Sequence, residues 1–255
     1  MRARLGEEWA IFLLAVQFLT RLPLPRELGW TPARMAATPR WHPAVGALVG
    51  ALAGAVFWAA GLVWPPAVAA LLAVAAGLLA TGAFHEDGLA DACDGLGGGT
   101  ARERALEIMR DSRIGTYGAA ALTLILAGRI LVLASLPVAL APLALVAGHA
   151  ASRASSVLVL ATSRYVRDHG TGKPVSSGVG PRSLAVALAC GLAAVLPLAL
   201  AAPLAAVAGL GGLALGHVLM RSRFERRLGG YTGDCLGAVQ QTSEIGFYLG
   251  ALACL

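Results

Sequence analysis

The chain has 255 residues, of which 57% are hydrophobic and only 13% charged, with a formal net charge of +6. A soluble domain carries roughly 25% charged residues, so this composition excludes an ordinary soluble globule and predicts an all-α, polytopic integral membrane protein. The basic residues are spread between apolar blocks instead of forming one basic face, which argues against nucleic acid as a partner and for the lipid bilayer.

The first segment, "MRARLGEEWAIFLLAVQFLTRLPLP" (1–25), sets Arg2 and Arg4 before an apolar run as a signal peptide would. Glu7 and Glu8 abut that run, Gln17 interrupts it and "TRLPLP" is a poor cleavage site, so the segment is read as uncleaved. From Trp9 to Thr20 it has about 12 residues, too few to span, and is expected to lie in the interface or re-enter.

Three apolar blocks follow, at 43–84, 114–162 and 183–220. Each is about twice the roughly 20 residues that cross a hydrocarbon core, so each predicts a helical hairpin. The expected architecture is a single membrane domain (1–255) of about six transmembrane helices in three hairpins, with short membrane segments at both ends. Prolines place the hairpin turns at "VWPPA" (63–67), "LPVALAP" (136–142) and "LPLALAAP" (196–203). None of these turns is charged. Arg and Lys collect in polar loops at about 21–42, 85–113, 163–182 and 221–244, which two crossings per block return to one face. By the positive-inside rule that face is cytoplasmic, in a bacterial inner (cytoplasmic) membrane. Gly46, Gly50 and Gly54 share a stripe that suits close helix packing. Cys93, Cys190, Cys235 and Cys254 form no C-x-x-C pair and are expected to be free thiols.

Directly after the first block comes "HEDGLADACDGLGGG" (85–99). If it is helical, Asp87, Asp91 and Asp94 fall at i, i+4 and i+7 on one face, with about 6 Å of rise between the first two. Like charges so spaced repel, and water screens them less at the mouth of an apolar hairpin. A hard cation removes that penalty: Mg²⁺ takes oxygen ligands and commonly shares its shell with substrate phosphates. The alternative is a solvated acidic helix end stopped by Gly97, Gly98 and Gly99. His85 is either a ligand or base, or a hydrogen-bonded residue of the interface.

"EIMRDSRIGTYG" (107–118) adds Asp111, Arg110 and Arg113 at the start of the second block. The fork of Arg113 suits a phosphate, but an arginine there equally marks the membrane boundary. Arg129 and Arg153 fall inside predicted helices, where a charge is by default paired or functional, and Arg153 among serines is the better cavity candidate. "RDHGTGKPVSSG" (167–178) is a glycine- and serine-rich loop with Lys173, suited to phosphate but no Walker A motif, because Pro174 follows the lysine. "ERRLGGYTGDCLGA" (225–238) brings Asp234 ahead of the last apolar segment, whose depth stays open.

Together "FLTRLPLP" (18–25), "HEDGLADACDGLGGG", "IMRDSRIGTYG" (108–118) and "GGYTGDCLGA" (229–238) resemble the hallmark segments of the cobalamin synthase family, the adenosylcobinamide-GDP ribazoletransferases. The resemblance implies a multi-pass, Mg²⁺-dependent transferase of the last cobalamin assembly step, joining α-ribazole or its 5′-phosphate to adenosylcobinamide-GDP with release of GMP. It implies that Asp87, Asp91 and Asp94 hold metal, that Asp111 assists, and that Asp234 lines the same pocket. The implied chemistry is attack of the α-ribazole 3′-hydroxyl on the phosphorus bonded to cobinamide, with Asp94 available to take the proton. His85, Arg110, Arg113, Arg153 and Lys173 are candidate substrate contacts. A second copy of the chain or other enzymes of the corrinoid pathway are open as partners. Two other readings stand beside it: a CDP-alcohol phosphotransferase, whose motif shares Asp-Gly-x-x-Ala but needs Arg where Asp91 stands, and a membrane transporter, which would keep ionisable groups near the midplane.

Overall fold

The structure is a computed structural model that describes residues 2–25, 27–167, 175 and 179–255. Among the described residues every named element is helical. Helix α1 (Arg2–Leu19) buries Ile11, Leu14, Ala15, Val16 and Leu19 against α2 (Pro32–Ala37), the 3-10 turn Thr38–Trp41 and α3 (His42–Gly61). The two acids of α1 hold it there, Glu7 pairing with Arg34 at 2.6 Å and Glu8 with Arg40 at 2.8 Å.

Helix α4 (Pro66–Thr81) completes the first hairpin, and the chain then turns by 90° into α5 (Phe84–Gly98). The bend is made by Gly82 (φ +65°) and Ala83 (φ +57°), two consecutive left-handed residues. Gly82 adopts that conformation freely, whereas Ala83 does so against the steric cost of its Cβ. If α4 crosses the bilayer, α5 lies along its face. A short α6 (Arg102–Ile108) leads to α7 (Thr116–Ser135), α8 (Ala141–Thr162), α9 (Pro181–Ala201), α10 (Pro203–Leu228) and α11 (Gly233–Leu252).

Among the described residues five helices are long and apolar enough to cross a membrane, and the bent α4–α5 pair makes a sixth if it counts as one span. The hairpins hold in connectivity more than in packing. Helix α8 is the buried centre of the bundle and packs on α3, α9 and α11, while α7 packs on α4, α5 and α11, and α10 lies along α11. The glycine stripe of α3 does pack closely, since a Cβ on Gly46 or Gly50 would overlap the backbone of α8 at His149 or Leu145.

Two expectations need correction. The turn predicted at 196–203 shrinks to Ala202, because Pro197 sits inside α9 and the helix carries on past the hydrogen bond it lacks. The polar loop predicted at 221–244 is mostly helix: α10 runs on to Leu228 and α11 begins at Gly233. The run "QQTSE" (240–244) hid α11, since polar residues at its middle erase the apolar signal although Gln240, Gln241, Ser243 and Glu244 are all buried.

The charged helix ends meet on one face. Arg102 donates to the Leu228 carbonyl at 2.8 Å, Arg221 to Thr162 Oγ1 at 2.9 Å, and the backbone N–H of Arg21 to the Ala80 carbonyl at 2.7 Å. The four cysteines are free, as the spacing predicts.

Candidate active site

The site is built where α5 crosses the start of α11. Gly88 and Gly237 lie at the crossing, and a Cβ on Gly88 would sit 3.0 Å from the Asp234 carbonyl, while one on Gly237 would sit 2.8 Å from that of His85. Only this backbone approach sets Asp234 beside Asp87 and Asp91. A one-residue parallel bridge between Tyr165 and Tyr231 fixes the segment ahead of α11, with Val166 N–H donating to the Tyr231 carbonyl at 3.0 Å. It also carries Arg167 to within 2.8 Å of Asp234.

The carboxylates feel one another. Burial and then the nearby Asp234 and Asp87 push the Asp91 carboxyl up to about 7, against the pull of Arg167. Asp234 is also raised, first by burial, with Arg167 opposing. A carboxyl at about 7, as on Asp91, is partly protonated at neutral pH unless a cation takes the proton's place.

Beneath these acids lies a cavity of about 90 Å³, lined among others by His42, His85, Asp87, Arg153, Ser156 and Asp234. Its size admits a few waters or a phosphate-sized group, not a corrinoid. Val175, within the loop predicted at 163–182, also lines it. On its floor Arg153 is 2% exposed; Nη1 donates to the His149 carbonyl at 2.9 Å, and Nε has no partner. Among the described residues no carboxylate pairs with it. His42 Nε2 is likewise buried without a partner. A buried guanidinium with no carboxylate in direct contact is costly, so the cavity suits an anion.

The four acids of the 85–99 motif divide in two. Asp87 lines the cavity and Asp91 stands near it and Asp234, whereas Glu86 points into the bundle and Asp94 toward α7. Asp94 is buried, and its two oxygens accept the N–H groups of Gly115 at 2.7 Å and Gly118 at 2.8 Å. The structure sets it apart from Asp87 and Asp91, in a different setting from the one expected of a metal ligand or proton acceptor: it caps the first turn of α7, whose orphan donors attract a carboxylate. Among the described residues no three acids, histidines or cysteines converge closely enough to hold a metal by themselves. Mg²⁺ commonly takes one or two protein carboxylates and completes its shell with water and phosphate. Asp87 and Asp91 fit that donor set.

Asp111 and Arg113 form an exposed, two-pronged ion pair at 2.6 Å, and this pairing holds the Asp111 carboxyl at about 2. Neither lines the cavity, nor does the exposed Arg110. Lys173 lies outside the described residues. The structure thus gathers His85, Asp87, Asp91, Arg153 and Asp234, and leaves Asp94, Arg110, Asp111 and Arg113 apart.

Sequence reasoning missed the support beneath the site. Arg129 of α7 is shared between Glu244 of α11 (2.7 Å) and Glu86 of α5 (3.2 Å). Gln241 donates to Glu86 at 2.9 Å, while Gln240 and Tyr248 both donate to Glu244, at 2.6 Å and 3.1 Å. The available signal was Arg129 itself, since a charge within a span calls for a buried partner. Glu86 below and Asp94 at the far end clamp α5, and the clamp leaves Asp87 and Asp91 unengaged.

Comparison with known proteins gives one consistent result. The chain matches the family model described as cobalamin-5-phosphate synthase over residues 11–252. It is 47% identical to the adenosylcobinamide-GDP ribazoletransferase of Leptothrix cholodnii over 98% of both chains. Identity is 43% with the Ralstonia pickettii protein of the same name, over 98% of this chain and 97% of that one. With that of Vibrio cholerae it is 41%, over 100% and 98%. No solved structure matches.

Proposed function

Because the chain belongs to the cobalamin-5-phosphate synthase family, we infer that it is the membrane transferase that joins ribazole to adenosylcobinamide-GDP in the final step of cobalamin synthesis, and that the pocket at the α5–α11 crossing is where it does so. The observation that carries the site is the unengaged Asp87 at the cavity, with Asp91 near it, together with the unpaired, buried Arg153 of the same cavity. A diphosphate is the ligand that satisfies both at once.

Asp87 and Asp91 would hold Mg²⁺, which when bound neutralises phosphate charge and sharpens the electrophilic phosphorus. Arg153 binds a phosphoryl oxygen through its planar fork, in a setting dry enough to make that contact strong. The ribazole hydroxyl forms a bond to the phosphorus attached to cobinamide, and the bond from that phosphorus to the GMP oxygen breaks. With both Asp94 oxygens engaged, the hydroxyl proton passes to Asp234, whose carboxyl is raised by burial and which stands on the opposite helix. His85 and Ser156 border the same space and orient the substrate. The charged face carrying the site lies in the cytoplasm, and the membrane is the bacterial inner membrane.

Purified protein in lipid, given adenosylcobinamide-GDP, α-ribazole or its 5′-phosphate, and Mg²⁺, should release GMP, and EDTA should abolish the release. Turnover of CDP-diacylglycerol with no reaction of the corrinoid would overturn the reading. Single cysteines at Arg102 and Arg223 should resist impermeant maleimide in intact cells; labelling of either from outside would reverse the orientation.

A further inference from the structure

On the side of α5 away from the acids, a groove opens beside α7, α10 and α11, with Leu215, Leu219, Ile245 and Leu249 along it. Its walls are apolar, and Leu215, Leu219 and Leu249 are each more than half exposed. It is shallow because α10 and α11 touch at Gly212 and Gly246, where a Cβ on either would overlap the other's backbone. At the end nearest the charged face stands Arg223, which also borders a smaller pocket with Arg226 and Arg227.

These arginines fall at i, i+3 and i+4 and therefore share a face. Among the described residues none of the three pairs with a carboxylate, although acids stand close by. Glu225 is taken by Arg221 at 2.9 Å and Glu107 by Arg104 at 2.7 Å, while Arg227 donates to the Thr100 carbonyl. From Arg223 back to Gly212 the groove follows α10 for eleven residues, about 16 Å at 1.5 Å per residue, which is about half of a roughly 30 Å hydrocarbon core. An apolar channel one leaflet deep, headed by unpaired arginines, has the charge and length of one class of molecule.

We propose that this groove is a binding site for an anionic phospholipid, with an acyl chain lying between α10 and α11 and the phosphate headgroup held by Arg223, Arg226 and Arg227. A zwitterionic lipid fills the same groove but offers no net charge to the arginines, so selection rests on the headgroup.

The test is lipid retention. Reconstitute the full chain in equal phosphatidylglycerol and phosphatidylcholine, extract it gently, and read the bound lipid by native mass spectrometry. Phosphatidylglycerol should be retained over phosphatidylcholine by about tenfold, as expected where juxtamembrane arginines meet anionic headgroups. The triple variant R223Q/R226Q/R227Q should lose the preference, the control R182Q should keep it, and Leu249→Trp, which fills the groove from an exposed position, should lower retention of both lipids. Should the triple variant fold poorly, the thermal midpoint of the wild-type chain decides, rising with added phosphatidylglycerol and not with phosphatidylcholine. Equal retention of the two lipids, a preference that survives in the triple variant, or a bound second polypeptide in place of lipid would each overturn the proposal.

Discussion

Asp94 on α5 accepts the backbone N–H of Gly118 at 2.8 Å with one carboxylate oxygen and that of Gly115 at 2.7 Å with the other. The two glycines leave the space this needs, since a Cβ on Gly115 would sit 2.5 Å from an Asp94 oxygen and one on Gly118 would overlap the other. Asp94→Asn turns an amide group toward a backbone donor and removes the charge. Hydrogen bonds to charged groups contribute about 1.5–3 kcal/mol each, so the thermal midpoint should fall by several degrees while the Mg²⁺ dependence of the surviving activity stays unchanged. A wild-type midpoint combined with a shifted Mg²⁺ dependence would return Asp94 to the metal site.

Asp87 and Asp91 should behave in the reverse way. With no protein partner to lose, Asp87→Asn or Asp91→Asn should lower turnover by about a hundredfold or more, roughly 2.7 kcal/mol, together with Mg²⁺ affinity. The metal-free fold should stay as stable or gain, because one of several like charges is gone. GMP release titrated with Mg²⁺, and the midpoint in EDTA, check both halves; activity within about threefold of wild type, under about 0.7 kcal/mol, would show that neither carboxylate works in the reaction.

The contrast between these acids marks how far the sequence could be read. Helical periodicity puts Asp87, Asp91 and Asp94 on one face, within about 60° of one another, and the structure agrees that the stretch is helical. What divides them is which helix arrives there: α11 crosses at Gly88, in the turn of Asp87 and Asp91, and α7 begins beside the last turn. Periodicity along one helix holds no information about its neighbours. The spans were legible because long apolar blocks have few other uses, and Arg153 was legible as a charge within one. Helix α11 was not, because Gln240, Gln241 and Glu244 are polar residues whose partners lie on α5, α7 and α8.

Arg129 neutralises two buried carboxylates, so the order of damage in that network can be predicted. Arg129→Met strands Glu86 and Glu244 together and should cost about 3–5 kcal/mol. Glu86→Gln leaves Arg129 its 2.7 Å contact with Glu244 and should cost less, about 1–3 kcal/mol. Unfolding midpoints of the two variants in one detergent give the ranking. If Glu86→Gln proves the more damaging, Arg129 is not shared in the way the geometry shows.

The last prediction concerns acid and the metal-free protein. The Asp91 carboxyl lies at about 7 in the folded chain, against 3.8 when unperturbed. The folded state therefore binds this proton more tightly than the unfolded state does, and the resulting stability is fully present below 3.8 and lost as pH rises through about 7. Asp234, also raised, acts in the same sense. Asp111 does not interfere, since its shift, to about 2, confines its effect to pH below 3.8. Asp91→Asn mimics the protonated acid at every pH. In EDTA the variant should thus already be the more stable of the two at about pH 5, and its lead should widen as pH rises to about 7 and level off above it. Saturating Mg²⁺ should narrow or invert that difference at the upper end of the range, because the cation replaces the proton only where the carboxylate is present to hold it. A midpoint difference in EDTA that stays constant across this range would show that Asp91 does not titrate within it, and an equal response of both proteins to Mg²⁺ would remove Asp91 from the metal site.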